Sequence, residues 1–331
     1  MKQYNSSKPP SYIISWDQNN LYGEGLSQPL PYAGLTWIEN VADFDVRSIP
    51  DDGPCGYFVE TNIKYPVELH ELHSDYLFCP ERLVPPNSSG RFGLESLISL
   101  PNFNKLTVFD GNLACVHLNH SVICLNKPIF IGITTLDVTK TLMCDFYYNY
   151  VLKFMRNPTN THKVNMLYTD TDNFVLEIIG VNDIYIDIMK RDRYRIDTSN
   201  FPIDNCYGIE QANARVLAKM KDVYGSRIIR EAVFICSTVY SMLLDSDESG
   251  EKALKGVKRI VVKNTISFYD FKSCLFDGEI LYVNQNSIRH RCHKVFTVRE
   301  RKLALRSFHD KRITLPDLIT TRVYGDYRNV L

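Results

Sequence analysis

The spacing of apolar and polar positions along this chain changes period several times, and each change predicts an element. Ser11-Tyr-Ile-Ile-Ser-Trp16 is aromatic and β-branched, which predicts a strand ending on Asp17, with Gln-Asn-Asn-Leu-Tyr-Gly23 after it. Gly56 to Pro66 alternates and predicts a further strand, stopped by Pro66 and paired with residues 11–16 or with Leu35-Thr-Trp-Ile38. Between Leu106 and Val138, four short apolar runs predict strands: Thr107-Val-Phe109, Ala114–Leu118, Val122–Leu125 and Ile129–Ile133. Asp-Gly and Asn-Lys-Pro turns separate them. The period then lengthens. Leu136, Leu142, Met143, Phe146, Tyr147, Tyr150, Val151 and Phe154 fall mostly at helical spacing and predict one helix, ended by Asn157-Pro-Thr-Asn160, whose apolar stripe is core. That helix delivers the chain to Met166–Glu177, an apolar strand text interrupted by Thr169-Asp-Thr-Asp172.

Beyond residue 180 the spacing predicts a helix around Gln211 to Val223, stopped near Gly225. Val233–Leu244 and Ala253–Val262 predict the two strands of a hairpin around the polar tip Asp245–Gly250. A helix near Ser267–Phe276 and strands around Lys294–Val298 complete the list. Residues 1–10, with Asn5-Ser-Ser-Lys-Pro-Pro10, are a flexible lead-in, and prolines, serines and glycine crowd together over 80–91 as a linker.

Composition changes this picture little. A chain of 331 residues can bury a substantial core and hold one large or two ordinary domains. Its 38 basic and 38 acidic residues cancel, so global charge argues for no polyanionic partner. Local charge differs. From Lys252 to Arg312 there are about 15 Lys and Arg against about 5 Asp and Glu, a basic quarter able to track a phosphate backbone or to be an ordinary solvated surface. The nine cysteines are scattered with no Cys-x-x-Cys pair, which argues against a zinc ribbon and for thiols in a reducing, intracellular compartment. His70 with His73, His117 with His120, and His290, Cys292 and His293 have ligand-like spacings that no second pair completes. The text has no signal sequence and no apolar run near 20 residues, so no membrane is expected.

Candidate chemistry lies in carboxylates. Asp170 and Asp172 stand two residues apart, the strand repeat, and would project together from a bend or strand end. Like charges so placed need a cation, a basic group or water, and hard carboxylate oxygens suit Mg²⁺. A solvated β-turn explains the same text. Asp17, at the end of a buried strand, is either a second ligand or a helix N-cap.

Taken together, Ser15-Trp-Asp-Gln-Asn-Asn-Leu-Tyr-Gly23 with Leu26-Ser-Gln-Pro-Leu-Pro31 resembles the first palm motif of the viral and organellar, protein-primed type of B-family DNA polymerase. Tyr168-Thr-Asp-Thr-Asp172 resembles its last palm motif. The likeness extends through Leu69-His-Glu-Leu-His-Ser-Asp-Tyr76, Pro101-Asn-Phe103, Leu125-Asn-Lys-Pro128, Lys140-Thr-Leu-Met143, Asp145–Tyr150, Lys255-Gly-Val-Lys258 and Asp310-Lys-Arg312, covering roughly residues 11 to 327.

The resemblance implies an α+β fold: a palm-like, mostly antiparallel sheet with packed helices, plus a small thumb-like C-terminal region. It divides the chain into a lead-in (1–10), a first palm part (11–80), a linker in place of fingers (81–104), a second palm part (105–250) and a basic thumb-like region (251–331). It implies template-directed nucleotidyl transfer by a two-metal mechanism with Mg²⁺ or Mn²⁺. Asp17 and Asp172 would be the metal ligands and Asp170 a supporting carboxylate. The backbone from Gln18 to Leu21 would lie under the triphosphate, with Tyr22 as the gate against a ribose 2′-hydroxyl. Tyr240, Lys255, Lys258, Arg259, Lys311 and Arg312 would contact primer and duplex. The implied partners are primer-template DNA, deoxynucleoside triphosphates and a terminal priming protein, at a viral replication site or in the nucleus.

The chain also departs from the family. It contains no Lys-x-x-x-Asn-Ser-x-Tyr-Gly fingers text and no N-terminal exonuclease domain, and the family's Lys-x-Tyr stands here as Thr238-Val-Tyr240. Losing cations that clamp a transferring phosphate costs orders of magnitude in rate. Two expectations follow: a polymerase palm and thumb, or a catalytically inactive remnant that binds DNA or is a non-functional fragment.

Overall fold

The computed structural model describes residues 9–41, 44–50, 52–74, 76, 98–110, 113–119, 127–153, 162–181, 183–245, 247–291, 293–308, 312–317, 319–323 and 326–329. Residues 1–8 of the lead-in, most of the linker (through residue 97), Val122–Leu125, the helix stop at Asn157–Asn160 and Lys311 lie outside them.

The fold is α+β and mostly antiparallel. Its centre is β1 (Ser11–Gln18), paired along its whole length with β5 (Asn173–Ile179), which pairs in turn with β4 (Lys163–Asp170). The other edge of β1 is shared. β8 (Ile229–Cys236) meets it at Ile13, and the short β7 (Met220–Asp222) pairs with Trp16, Asp17 and Gln18. Beyond β8 come β9 (Val239–Leu244) and β10 (Asp247–Leu254), while β6 (Ile196–Asp197) adds to β7 as a parallel pair.

Alternation along β1 and β5 decides what each face meets. Ile14 and Trp16, with Phe174, Leu176 and Ile178, bury one face against Leu21, Met143, Tyr147 and Tyr150. Ile13 and Val175 bury the other against Tyr224, Ile229, Met242 and Leu244. A third cluster joins Val233 and Leu254 to Val257, Phe268, Phe271 and Leu305. It forms where α3 (Arg259–Thr265) and α4 (Phe268–Phe276) meet the base of a long ribbon, β11 (Leu281–Arg291) with β12 (Lys294–Leu305). α4 begins at a capping box in which Ser267 accepts from Asp270 N and the Asp270 carboxylate accepts from Ser267 N. β2 (Phe103–Asp110) pairs with β3 (Leu113–Leu118), and β13 (Arg312–Thr314) with β14 (Thr321–Val323), as separate two-stranded sheets.

Four sequence expectations are corrected. Ile129–Ile133 opens α2 (Ile129–Asp145), which continues as a π-helical stretch over Phe146–Leu152. Pro128 starts the helix, Thr134, Thr135 and Thr141 satisfy their hydroxyls on carbonyls four residues back, and burial of Thr135, Thr139, Met143 and Cys144 against the rest of the fold outweighs the weak helix preference of this β-branched text. Gly56–Pro66 and Leu35–Ile38 are unpaired and largely exposed, because alternation yields a strand only where a sheet edge receives it. Gln211–Val223 is not a helix. Asn213, Arg215 and Ala218 have positive φ, Asn213 Nδ2 donates to Arg193 and Ile196 carbonyls, and the segment ends in β7. Val233–Leu244 turns back at Ser237-Thr238, so it is two strands rather than one, and the chain after Leu254 becomes a turn and α3.

Candidate active site

The register aligns one residue from each of four neighbouring strands. Asp170 of β4 faces Asn173 of β5, Asn173 faces Asp17 of β1, and Asp17 faces Lys221 of β7. Directly opposed residues of antiparallel strands share a face. The row is therefore carboxylate, amide, carboxylate, ammonium.

Asp172 joins the row from the β4–β5 turn. Asp170 is the last residue of β4, Thr171 has φ 61°, and Asp172 N donates to Asp170 O at 2.8 Å, which is a three-residue γ-turn. The strand repeat does not apply across such a turn, so the two carboxylates are arranged by the bend rather than by pleat. Left-handed φ is costly for a β-branched residue, so the turn stores strain. The tip is tied to β1, since Gln18 N donates to Asp172 O at 2.8 Å.

Burial pushes the Asp17 carboxyl up to about 6, with the Asp172 carboxylate adding to the effect and Lys221 opposing it. Tyr168 stacks on Phe234 (5.0 Å) and lies 5.3 Å from Tyr240, accepts from Thr238 N at 3.1 Å and approaches Asp170 Oδ2 at 3.4 Å. Its hydroxyl is pushed up to about 12, mainly by burial. Tyr240 packs against the cluster of Ile13 and Val175, which lies on the Asp17 side of the sheet, and its hydroxyl is raised by burial and then by Glu251, Asp170 and Asp17.

The loop leaving β1 is pinned. Asn19 N donates to Lys219 O (2.9 Å) and Asn19 Nδ2 to Asp197 Oδ2 (2.7 Å). Asp197 is fully buried and also accepts from Ser199 N and Arg215 N, and these donors hold its carboxyl below the usual range against its burial. Asn20, in the left-handed region at φ 46°, caps α1 (Leu21–Ser27) by accepting from Gly23 N. The cap is thus Asn20, which removes the capping role considered for Asp17. α1 sits tightly on α2 because Gly25 has no side chain: a Cβ there would lie 2.6 Å from Thr139 Cγ2.

The structure places Asp17, Asp170 and Tyr240 on one face of the sheet, with Asp172 in the adjoining turn close enough for its charge to raise Asp17. Gln18 is buried, its Oε1 without a hydrogen-bond partner among the described residues, and Leu21 is core, so only their backbone is available to a ligand. Tyr22 is exposed. Lys255 is exposed, its backbone N donating to Thr238 O of the β8–β9 turn at 3.2 Å. Lys258 precedes α3 and gives its N to Gln285 Oε1, and Arg259 is exposed on the first turn. Arg312 is engaged with Thr321 in the β13–β14 sheet. Lys221 and Asp197 are the residues missed by sequence reasoning, while Tyr168 and Asn19 stand inside the quoted motifs without the side-chain partners the structure gives them. A strand neighbour more than 200 positions away leaves no signal in spacing.

Asp17 and Asp172 offer hard oxygen donors, and no third His, Cys, Asp or Glu joins them in a ligand group among the described residues. That donor set fits magnesium, which is commonly held by one or two carboxylates with water and phosphate completing its shell. Among the described residues no helix is long and apolar enough to cross a membrane. No family model, no curated protein and no solved structure matches the chain.

Proposed function

We propose that this chain is the palm and basic thumb-like part of a DNA-directed DNA polymerase of the protein-primed B-family type, encoded by a virus or transposon. What supports the reading above all is the bond from Gln18 N to Asp172 O, which joins the two resembling motifs across some 150 residues of chain, with the Asp172 charge near enough to raise the Asp17 carboxyl. Nucleotidyl transfer joins the primer 3′-oxygen to the α-phosphorus of a deoxynucleoside triphosphate and releases pyrophosphate. Asp17 and Asp172 would hold the cations, with Asp170 supporting them from the end of β4. Magnesium or manganese ions, when bound, would offset charge on the phosphates and ease loss of the primer hydroxyl proton. The backbone of Gln18–Leu21 underlies the triphosphate, Tyr22 stands where a 2′-hydroxyl would intrude, and Tyr240 lies toward the primer terminus. Lys255, Lys258, Arg259, Lys311 and Arg312 contact duplex phosphates without reading sequence, with a terminal priming protein as partner.

A second reading, a catalytically inactive DNA-binding remnant, is favoured by Thr238. It occupies the tight turn between β8 and β9 at φ 67°, where the family carries a lysine. Primer extension separates the two. With primed template, nucleotides and Mg²⁺, the polymerase reading expects extension that Asp172→Asn lowers by roughly 10²–10³-fold or more. DNA binding with no extension by the parent chain leaves only the remnant.

A further inference from the structure

We propose that Lys221 is the phosphate-binding cation of this site, its ammonium contacting the triphosphate of the incoming nucleotide beside Asp17. The inference rests on the nucleotidyl-transfer reading and names a residue that reading did not contain. Two cations typical of the resembling family are missing from the sequence, the one in the fingers text and the one at Thr238. A triphosphate entering a face that already carries Asp17, Asp170 and Asp172 meets like charge, and two cations held by two carboxylates leave part of it uncompensated.

The row across the sheet contains one cation, and it is Lys221. Neighbouring strands lie about 4.8 Å apart and a lysine stem is longer than that, so the ammonium can reach the space over Asp17, whose carboxyl its charge already pulls down. Lys221 is half-buried and forms no ion pair among the described residues. A lysine whose only task was to neutralise Asp17 would be expected to close on that carboxylate.

The strand carrying it is short yet firmly placed. Asp222, almost wholly buried, accepts from Tyr224 N (3.0 Å) and Ser226 N (2.9 Å), and Asn200 Nδ2 donates to Asp222 O (2.7 Å). Val223 N donates to Ser15 O, and Lys219 O receives Asn19 N from the loop that would underlie the triphosphate. One backbone segment therefore positions both that loop and the lysine. Such support is what a residue needs if its charge must stand ready before the ligand arrives. Lys255 and Arg259, by contrast, are exposed at a turn and a helix start.

Calorimetric titration of the full chain with inorganic tripolyphosphate, and with dATP in the presence of Ca²⁺, tests the inference without requiring turnover. Lys221→Gln and Lys221→Met are expected to weaken both ligands about tenfold or more, and Lys221→Arg to stay within about threefold. Lys163→Gln, an exposed lysine at the far end of β4, serves as the control for general charge loss. Lys221→Met keeps the packing of the stem, so an unchanged thermal midpoint separates lost charge from lost fold. Equal binding by the parent chain and Lys221→Met overturns the role of Lys221 while leaving the polymerase reading intact. Failure of the parent chain to bind either ligand overturns both.

Discussion

The carboxylate end of the central sheet and the β11–β12 ribbon carry opposite charge, and they are built in opposite ways. Asp17 sits on a strand covered on both faces, with Trp16 and Phe174 beneath it and Ile13 and Val175 around it. Its neighbours are set by register, by the Gln18–Asp172 bond and by Asn19 on Asp197. Among the described residues the ribbon is anchored at its base, where Val283, Gln285, Ala304 and Leu305 are buried. Further out Ile288 and Val295 are exposed, and its charges are satisfied locally: the Glu300 carboxylate accepts from Gln285, Ser287 and Arg289 and is held down at about 2, while Arg301 lies 4.3 Å over Tyr282. Chemistry at one atom requires groups fixed to a fraction of an ångström, whereas attraction to a phosphate backbone requires only charge density.

Core truncation is the largest way to break this contrast. Phe174 is fully buried and its ring lies against Tyr76, Phe146 and Tyr147, so Phe174→Ala should cost about 3–5 kcal/mol of stability. Phe296→Ala, on the exposed part of the ribbon, should stay within about 0.5 kcal/mol. Urea unfolding monitored by circular dichroism measures both. Similar costs would mean that the ribbon is packed against something on the carboxylate side.

Backbone strain sharpens the contrast at smaller scale. Thr171 and His293 both sit in hairpin turns with positive φ, 61° and 60°. Replacing either by glycine should stabilise the fold by about 0.5 kcal/mol, relief of roughly 1–2 kcal/mol of left-handed strain being offset in large part by about 0.4–1 kcal/mol of added unfolded-state entropy. Only Thr171→Gly should also slow primer extension, since it alone loosens a turn that carries carboxylates. A Thr171→Gly protein that is more stable and equally active would show that the strain has no role in the site.

The smallest effect is electrostatic. The folded pKa of Asp17 lies above its unfolded value of about 3.9, so the native state binds the proton more tightly and stability from this group falls as pH rises from about 4 to 6. Asp17→Asn should therefore be more stable than the parent at pH 7 by about 1 kcal/mol, once solvent screening of a half-buried group is allowed for, with the gap closing near pH 4. Millimolar Mg²⁺ should raise the melting midpoint of the parent chain and not that of Asp17→Asn. Equal response of the two proteins would argue against a cation held by Asp17.

Local text was enough for several of these elements. The strand at Ser11–Trp16, the helix carrying Met143, Tyr147 and Tyr150, and the capped helix after Ser267 follow from period and capping chemistry that neighbours in sequence supply. The same text marked Asp17, Asp170 and Asp172 as candidate chemistry. It misled where an outcome depends on distant partners: Gly56–Pro66 alternates yet finds no sheet edge, and Gln211–Val223 has helical composition yet gives its polar groups to Arg193, Ile196 and Asp197.

What the sequence by itself determined is the set of groups available: three carboxylates in two short stretches and a basic C-terminal quarter. Only tertiary structure decided that Asp17 lies between Asn173 and Lys221, that the carboxylate turn is strained, and that a buried Asp197 holds the loop beside it. The physical reason is register. A β-ladder brings together residues such as 17 and 221 through backbone bonds that carry no side-chain signature, so chemistry shared across strands becomes visible only when the strands are paired.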